Sequence, residues 1–148
     1  MVSLYDANLW VALAFAAHPH HRLASQHVKA RDSAQPAAFC RVTQKAFLRL
    51  VSTPLIQRTY ESPPITNAAA WSKCQDLLAL PQILWLDEPE GLADLWQSLA
   101  CLPSASPRVW TDAYLAAFAI RHAVEFVTLD SDFKTFVKDG LKLKLLTS

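Results

Sequence analysis

RVWTDAYLAAFAIRHAVEFVTLDSD, residues 108–132, is the stretch that decides the fold. Past the break from Pro103 to Pro107, apolar residues recur at helical spacing from Arg108 to about His122. The β-prone run Glu125-Phe-Val-Thr-Leu129 follows and ends in Asp130, with Asp132 two residues on. Asp112 falls in the first turn of the helix. The stretch is thus a helix feeding a buried strand whose exit carries an acid.

The same pattern opens the chain. Val2-Ser3-Leu4-Tyr5 reads as a short strand that meets Asp6, and Asn8 is placed to cap a helix to about Ala17. His18-Pro19-His20 breaks it, and a second helix runs from about His20 to Ala30. Pro36 to Cys40 predicts a second strand, and Thr43 starts a helix through about Ser52. Residues 55–66, with Pro63-Pro64, read as a loop and as the most mobile part of the chain. Thr66 or Asn67 starts a helix to about Leu80. Ile83 to Leu86 is a third strand, and a helix from Glu88-Pro89-Glu90 to about Cys101 contains Gly91. After Asp130, a short helix spans about Phe133–Val137. The last strand, Leu141 to Leu146, places leucines on one face and Lys142 and Lys144 on the other, as suits a protected edge.

Strands alternate with helices throughout. The expected fold class is α/β, a three-layer α/β/α domain over residues 1–148 with a central parallel sheet. In such sheets ligands bind beyond the carboxyl ends of the strands. Asp6, Asp112 and Asp130 belong to that region although they span most of the chain.

Composition excludes several functions. Gly91 and Gly140 are the only glycines among 148 residues, so neither a Walker-A loop nor a G-x-G-x-x-G turn exists. Fourteen basic against thirteen acidic residues leave a net charge of +1, which gives no bulk drive toward nucleic acid. Cys40, Cys74 and Cys101 are scattered and odd in number, with no C-x-x-C. They read as reduced thiols buried as small apolar groups in a cytoplasmic protein. The apolar run Leu9–Ala17 has no basic residue before it and reads as a helix of the fold, not a leader. No run is long enough to span a membrane.

Convergent carboxylates repel. Two of them about 4 Å apart cost roughly 4 kcal/mol at an effective dielectric near 20. A divalent cation removes that cost, and an all-oxygen donor set favours Mg²⁺ or Mn²⁺ over Zn²⁺. Such an ion suits phosphodiester hydrolysis.

Leu-Tyr-Asp6-Ala-Asn8-Leu-Trp, Trp110-Thr111-Asp112-Ala-Tyr-Leu-Ala and Val-Thr128-Leu-Asp130-Ser-Asp132-Phe133 resemble, in order and over essentially the full length, the three acidic motifs of PIN-domain proteins. The chain is similar in particular to the VapC-type ribonuclease toxins of toxin–antitoxin pairs. The resemblance implies a Mg²⁺- or Mn²⁺-dependent ribonuclease, usually dimeric, whose site an antitoxin blocks. It implies Asp6 and Asp112 as main metal ligands, with Asp130 completing the site. Asp132 would be a helper or a cap for the short helix. One departure stands out. Where the family usually carries Glu in the helix after the second strand, this chain has Gln44, a neutral acceptor that supplies no negative charge. Weaker binding of a second metal is expected. Glu61 is a candidate replacement acid.

Arg41, Arg49 and Arg108 are candidates for phosphate contact, against the alternative of an ordinary solvated face. His18, His20, His21 and His27 read as capping and packing at a kink before a metal site. The five tryptophans read as core or dimer interface before stacking platforms. Thr111 is placed to cap its helix, and Thr128 to hydrogen-bond near the acids. Two other classes compete with the ribonuclease. One is a catalytically weak PIN-like module that binds RNA or a partner. The other is a phosphoacceptor domain using Asp87 after the third strand.

Overall fold

The computed structural model describes residues 1–147. Five short strands form one sheet: β1 (Ser3–Tyr5), β2 (Ala37–Phe39), β3 (Ile83–Trp85), β4 (Glu125–Thr128) and β5 (Lys142–Leu145). Their order is β3-β2-β1-β4-β5, and every pairing is parallel. The helices are α1 (Ala7–Ala14), α2 (His21–Lys29), α3 (Arg41–Val51), α4 (Pro54–Thr59), α5 (Asn67–Leu78), α6 (Leu92–Ala100) and α7 (Val109–His122). A 3₁₀ segment covers Ser131–Asp139.

Side chains alternate across the sheet, as the two-residue period of a strand requires. Tyr5, Ala37, Phe39 and Val127 point to one core, filled by α1, α2, α3 and α5. Leu4, Ala38 and Phe126 point to the other, filled by α6, α7 and the 3₁₀ segment. The architecture is therefore the expected three-layer α/β/α arrangement. Trp10 is fully buried in the first core and stacks on Phe39, with centroids 4.0 Å apart and planes 7° from parallel. β5 is an edge strand with its lysines exposed and its leucines half-buried, as read from the alternation.

Several boundaries differ from expectation. α1 ends at Ala14, because Phe15 turns extended to bury its ring in the core. α3 begins at Arg41, with Thr43 serving as its third residue. The Thr43 hydroxyl accepts from the Cys40 amide (3.0 Å) in a capping box. Residues 55–66 are not one loop, for Pro54 starts α4. Buried Gln57 pins the segment after α4, its Nε2 donating to the carbonyls of Val51 (2.8 Å) and Ile65 (3.0 Å). α6 begins only at Leu92, and Gly91 is its N-cap at φ 75°, a left-handed conformation that favours glycine. Cys40 and Cys74 are buried, but Cys101 is exposed.

The chain leaves β1 toward β2 and β3, then returns to the other side of β1 for β4 and β5. The order reverses between β1 and β4, and the crevice beyond that reversal is where open parallel sheets bind ligands.

Candidate active site at the sheet reversal

Asp6 directly follows β1, and its amide donates to the Val127 carbonyl of β4 (2.9 Å). The register Tyr5↔Val127 continues to set Asp6 beside Thr128. The Thr128 hydroxyl donates to Asp6 Oδ2 at 2.7 Å and accepts from the Asp130 amide at 3.0 Å. Asn8 spans the same gap. Its Nδ2 lies 3.2 Å from both Asp6 Oδ2 and Thr128 Oγ1, and its Oδ1 accepts from the Leu129 amide at 3.4 Å. Asn8 is therefore a bridge between two strand exits, not the helix cap expected, while Asp6 holds the cap position. Asp130 Oδ1 accepts from the Asp132 amide at 2.9 Å and caps the 3₁₀ segment. Asp130, rather than Asp132, is thus the cap. Arg108 occupies the N-cap of α7, so Thr111 is already inside the helix.

Charge brings Asp112 into the group. Its carboxyl is pushed up to about 6, first by burial and then by the negative charges of Asp130, Asp6 and Asp132, with Arg108 opposing. Burial raises Asp6 as well, partly offset by the Thr128 bond and the Ala7 amide. Four carboxylates from three separate segments thus share one field, relieved by one nearby cation. Among the described residues, no three His, Cys, Asp or Glu side chains form a ready ligand group for a metal ion. Mg²⁺ commonly takes only one or two carboxylates and completes its shell with water and phosphate. The all-oxygen donors and the repulsion that Arg108 only partly offsets fit such an ion.

Arg41 and Gln44 lie in the first turn of α3, directly after β2, the strand beside β1. Gln44 is buried, its Oε1 accepting from Arg41 Nη1 (2.5 Å) and its Nε2 facing the Cys74 sulfur (3.8 Å). Arg41 lies over the Trp85 ring, 4.6 Å from its centroid. Arg49 is eight residues further along α3, about 12 Å at 1.5 Å per residue, beside Trp71. Glu61 follows α4 next to Phe15 and Tyr60. The histidines pack and cap as expected. His18 Nδ1 accepts from the His20 amide (3.0 Å), the His18 ring lies against Tyr60, and His21 bonds the Ala12 carbonyl (2.9 Å). His27 sits apart, bonded to the Tyr5 hydroxyl. Asp87 follows an edge strand, whereas a phosphoacceptor domain of the 2-1-3-4-5 order would need its third strand at the centre. Trp71 and Trp110 are exposed, outside either core.

A sheet ordered 3-2-1-4-5 with acids at its reversal defines a class, and the comparison with known families agrees. The PIN domain model matches residues 4–138, and the chain belongs to that family. Within it the chain is of the VapC type: it is 39% identical over 144 residues to Ribonuclease VapC41 of Mycobacterium tuberculosis, covering 97% of each chain. Ribonuclease VapC37 of the same species is 27% identical over 137 residues, covering 91% of this chain and 92% of the other. Among solved structures, the M. tuberculosis toxin VapC20, described as cleaving the sarcin–ricin loop, superposes with a TM-score of 0.64 at 14% identity, covering 94% of this chain and 95% of that one. VapBC-1 of nontypeable Haemophilus influenzae gives 0.64 at 11% identity, covering 98% of each chain. At those identities the structural matches speak for the fold.

Proposed function

We propose that this chain, acting as one PIN domain, is a metal-dependent endoribonuclease and the toxin half of a toxin–antitoxin pair. The observation that carries the reading is the sheet reversal, where the Thr128 hydroxyl ties Asp6 to Asp130 and the charges of Asp130, Asp6 and Asp132 help raise the Asp112 carboxyl. Asp6 and Asp112 would hold Mg²⁺ or Mn²⁺, with Asp130 completing the site and Asp132 at its margin. When bound, the ion supplies charge neutralisation on the phosphate and a more acidic water. The chain's own residues prepare the site. Thr128 and Asn8 fix the Asp6 carboxylate, Asp130 is oriented by its cap bond, and Arg108 opposes the surplus charge. Arg41, Arg49 and Arg108 supply cations for the RNA backbone.

Solved structures that share the fold include a toxin–antitoxin complex from Klebsiella pneumoniae and VapBC-5 of M. tuberculosis, described as a member of the VapBC family of toxin–antitoxin systems. That supports an antitoxin partner, which would fill the cleft and bring a basic side chain to the acids. A homodimer belongs to the same reading, with exposed Trp71 and Leu80 as apolar surface for it. Light scattering should give twice the monomer mass. No described helix is long and apolar enough to cross a membrane, and a cytoplasmic location accords with the chemistry proposed.

The test is RNA cleavage with Mg²⁺ or Mn²⁺ by wild type, Asp6→Asn and Asp112→Asn. Wild-type activity lost in both variants is expected, and equal cleavage by all three sinks the reading. A second reading, a catalytically weak RNA- or partner-binding module, draws on Gln44, whose carbonyl is engaged by Arg41 rather than offered to a metal. RNA affinity retained without turnover in any divalent ion would favour it.

A further inference from the structure

A cleft of about 490 Å³ opens where the start of α3, the exit of β3 and the middle of α7 meet. Small-ligand sites occupy roughly 300–1,000 Å³. Trp85 and Tyr114 line it, and Arg41, Lys45 and Glu88 surround them. The set is already fixed in place. Arg41 is stacked on the Trp85 ring and tied to Gln44, a neutral acceptor that orients the guanidinium without cancelling its charge. Trp85 Nε1 donates to Asp87 Oδ1 (2.9 Å), which holds the indole, and the Tyr114 hydroxyl donates to Glu88 Oε1 (2.8 Å). The cleft adjoins the acids. Arg41 directly follows the exit of β2, the strand paired with β1, whose own exit carries Asp6.

The geometry points to a nucleoside subsite: the base of an unpaired RNA nucleotide stacks against the Arg41–Trp85 pair, Arg41 and Lys45 meet its phosphate, and Glu88 accepts from an exocyclic amino group. The inference takes its substrate class from the ribonuclease reading. Stacking on aromatic and guanidinium planes is how proteins hold unpaired bases. A nucleotide brings both a flat π surface for the Arg41–Trp85 pair and an anion for Arg41 and Lys45, whereas an apolar peptide side chain offers neither. A carboxylate accepts from the N4 amino group of cytosine and repels the O4 carbonyl that uracil presents in its place. The subsite therefore prefers cytidine to uridine.

The experiment is titration of the full chain with cytidine and uridine 5′-monophosphates in EDTA, following indole N–H resonances by NMR. Cytidine monophosphate should shift the Trp85 resonance and bind several-fold more tightly than uridine monophosphate. Trp85→Ala should weaken binding about tenfold or more, and Trp85→Phe should keep most of it. Glu88→Gln should erase the preference for cytidine. The proposal is overturned if Trp85 does not respond to either nucleotide, or if Trp85→Ala folds and binds as wild type. It is also overturned if only an antitoxin chain, and neither nucleotide, occupies the cleft. No divalent ion and no cleavage enter the measurement, so its failure is distinct from failure of the nuclease reading, which the Asp6 and Asp112 variants test.

Discussion

Thr128 is fully buried, and its one hydroxyl serves Asp6, Asp130 and Asn8 together. Thr128→Val keeps the shape and removes those bonds, leaving a buried carboxylate short of a donor. Urea denaturation should show a loss of about 1–3 kcal/mol, with Thr128→Ser recovering part of it. Asp112 sets a second expectation. Its folded pKa, about 6, lies above the ordinary 3.8, so the folded state keeps a proton that the unfolded chain releases. Its contribution to stability is present below pH 4 and is lost as pH rises to about 6. Asp112→Asn should therefore stabilise the metal-free protein at pH 7, by on the order of 1 kcal/mol once solvent screening of this half-exposed group is allowed for. The difference between variant and wild type should vanish near pH 4, as thermal melts in EDTA would show. Asp6 and Asp130 were legible in the sequence because a strand's exit dictates their position, and Asp112 because it falls in the first turn of α7. Asn8 was not, since its partners are more than a hundred residues away. Arg41 stands one helical turn before Gln44, so their contact is within reach of the sequence, but the bond that engages the Gln44 carbonyl depends on side-chain conformation.

At the scale of elements, α7 ends on Ala123 at φ 55°, a left-handed residue other than glycine. Its amide and that of Val124 still satisfy the carbonyls of Ile120 and Ala119 (both 3.0 Å). Ala123→Gly removes the Cβ clash and should raise stability by up to about 1 kcal/mol in the same denaturation assay. All five strands and the long helices were readable from periodicity. The misses lie where local signals compete. Pro63-Pro64 drew residues 55–66 into one loop, although Pro54 is a good first helical residue and starts α4. Early acids suggested a helix from Glu88, but Glu88 and Asp87 face α7 and β3 through Tyr114 and Trp85, and Gly91 resets the backbone. The contact between Glu88 and Tyr114 joins separate segments and leaves no periodic trace in the chain.

For the whole molecule, alternating elements announce a parallel sheet but not its strand order. The order β3-β2-β1-β4-β5 decides that β1 and β4 are neighbours, and hence that Asp6 and Asp130 meet. Carboxylates gathered without a matching set of cations hold surplus charge that a divalent ion relieves. Mg²⁺ should accordingly raise the melting temperature of wild type more than that of Asp6→Asn or Asp112→Asn. Removing it with EDTA should reverse the gain. The most direct measurement of the central claim is cleavage of RNA by the purified chain in Mg²⁺ or Mn²⁺, beside folded Asp6→Asn and Asp112→Asn proteins. Cleavage that needs the ion and disappears in both variants is the predicted result. Cleavage persisting at the wild-type rate in either variant, or in EDTA, would contradict the account.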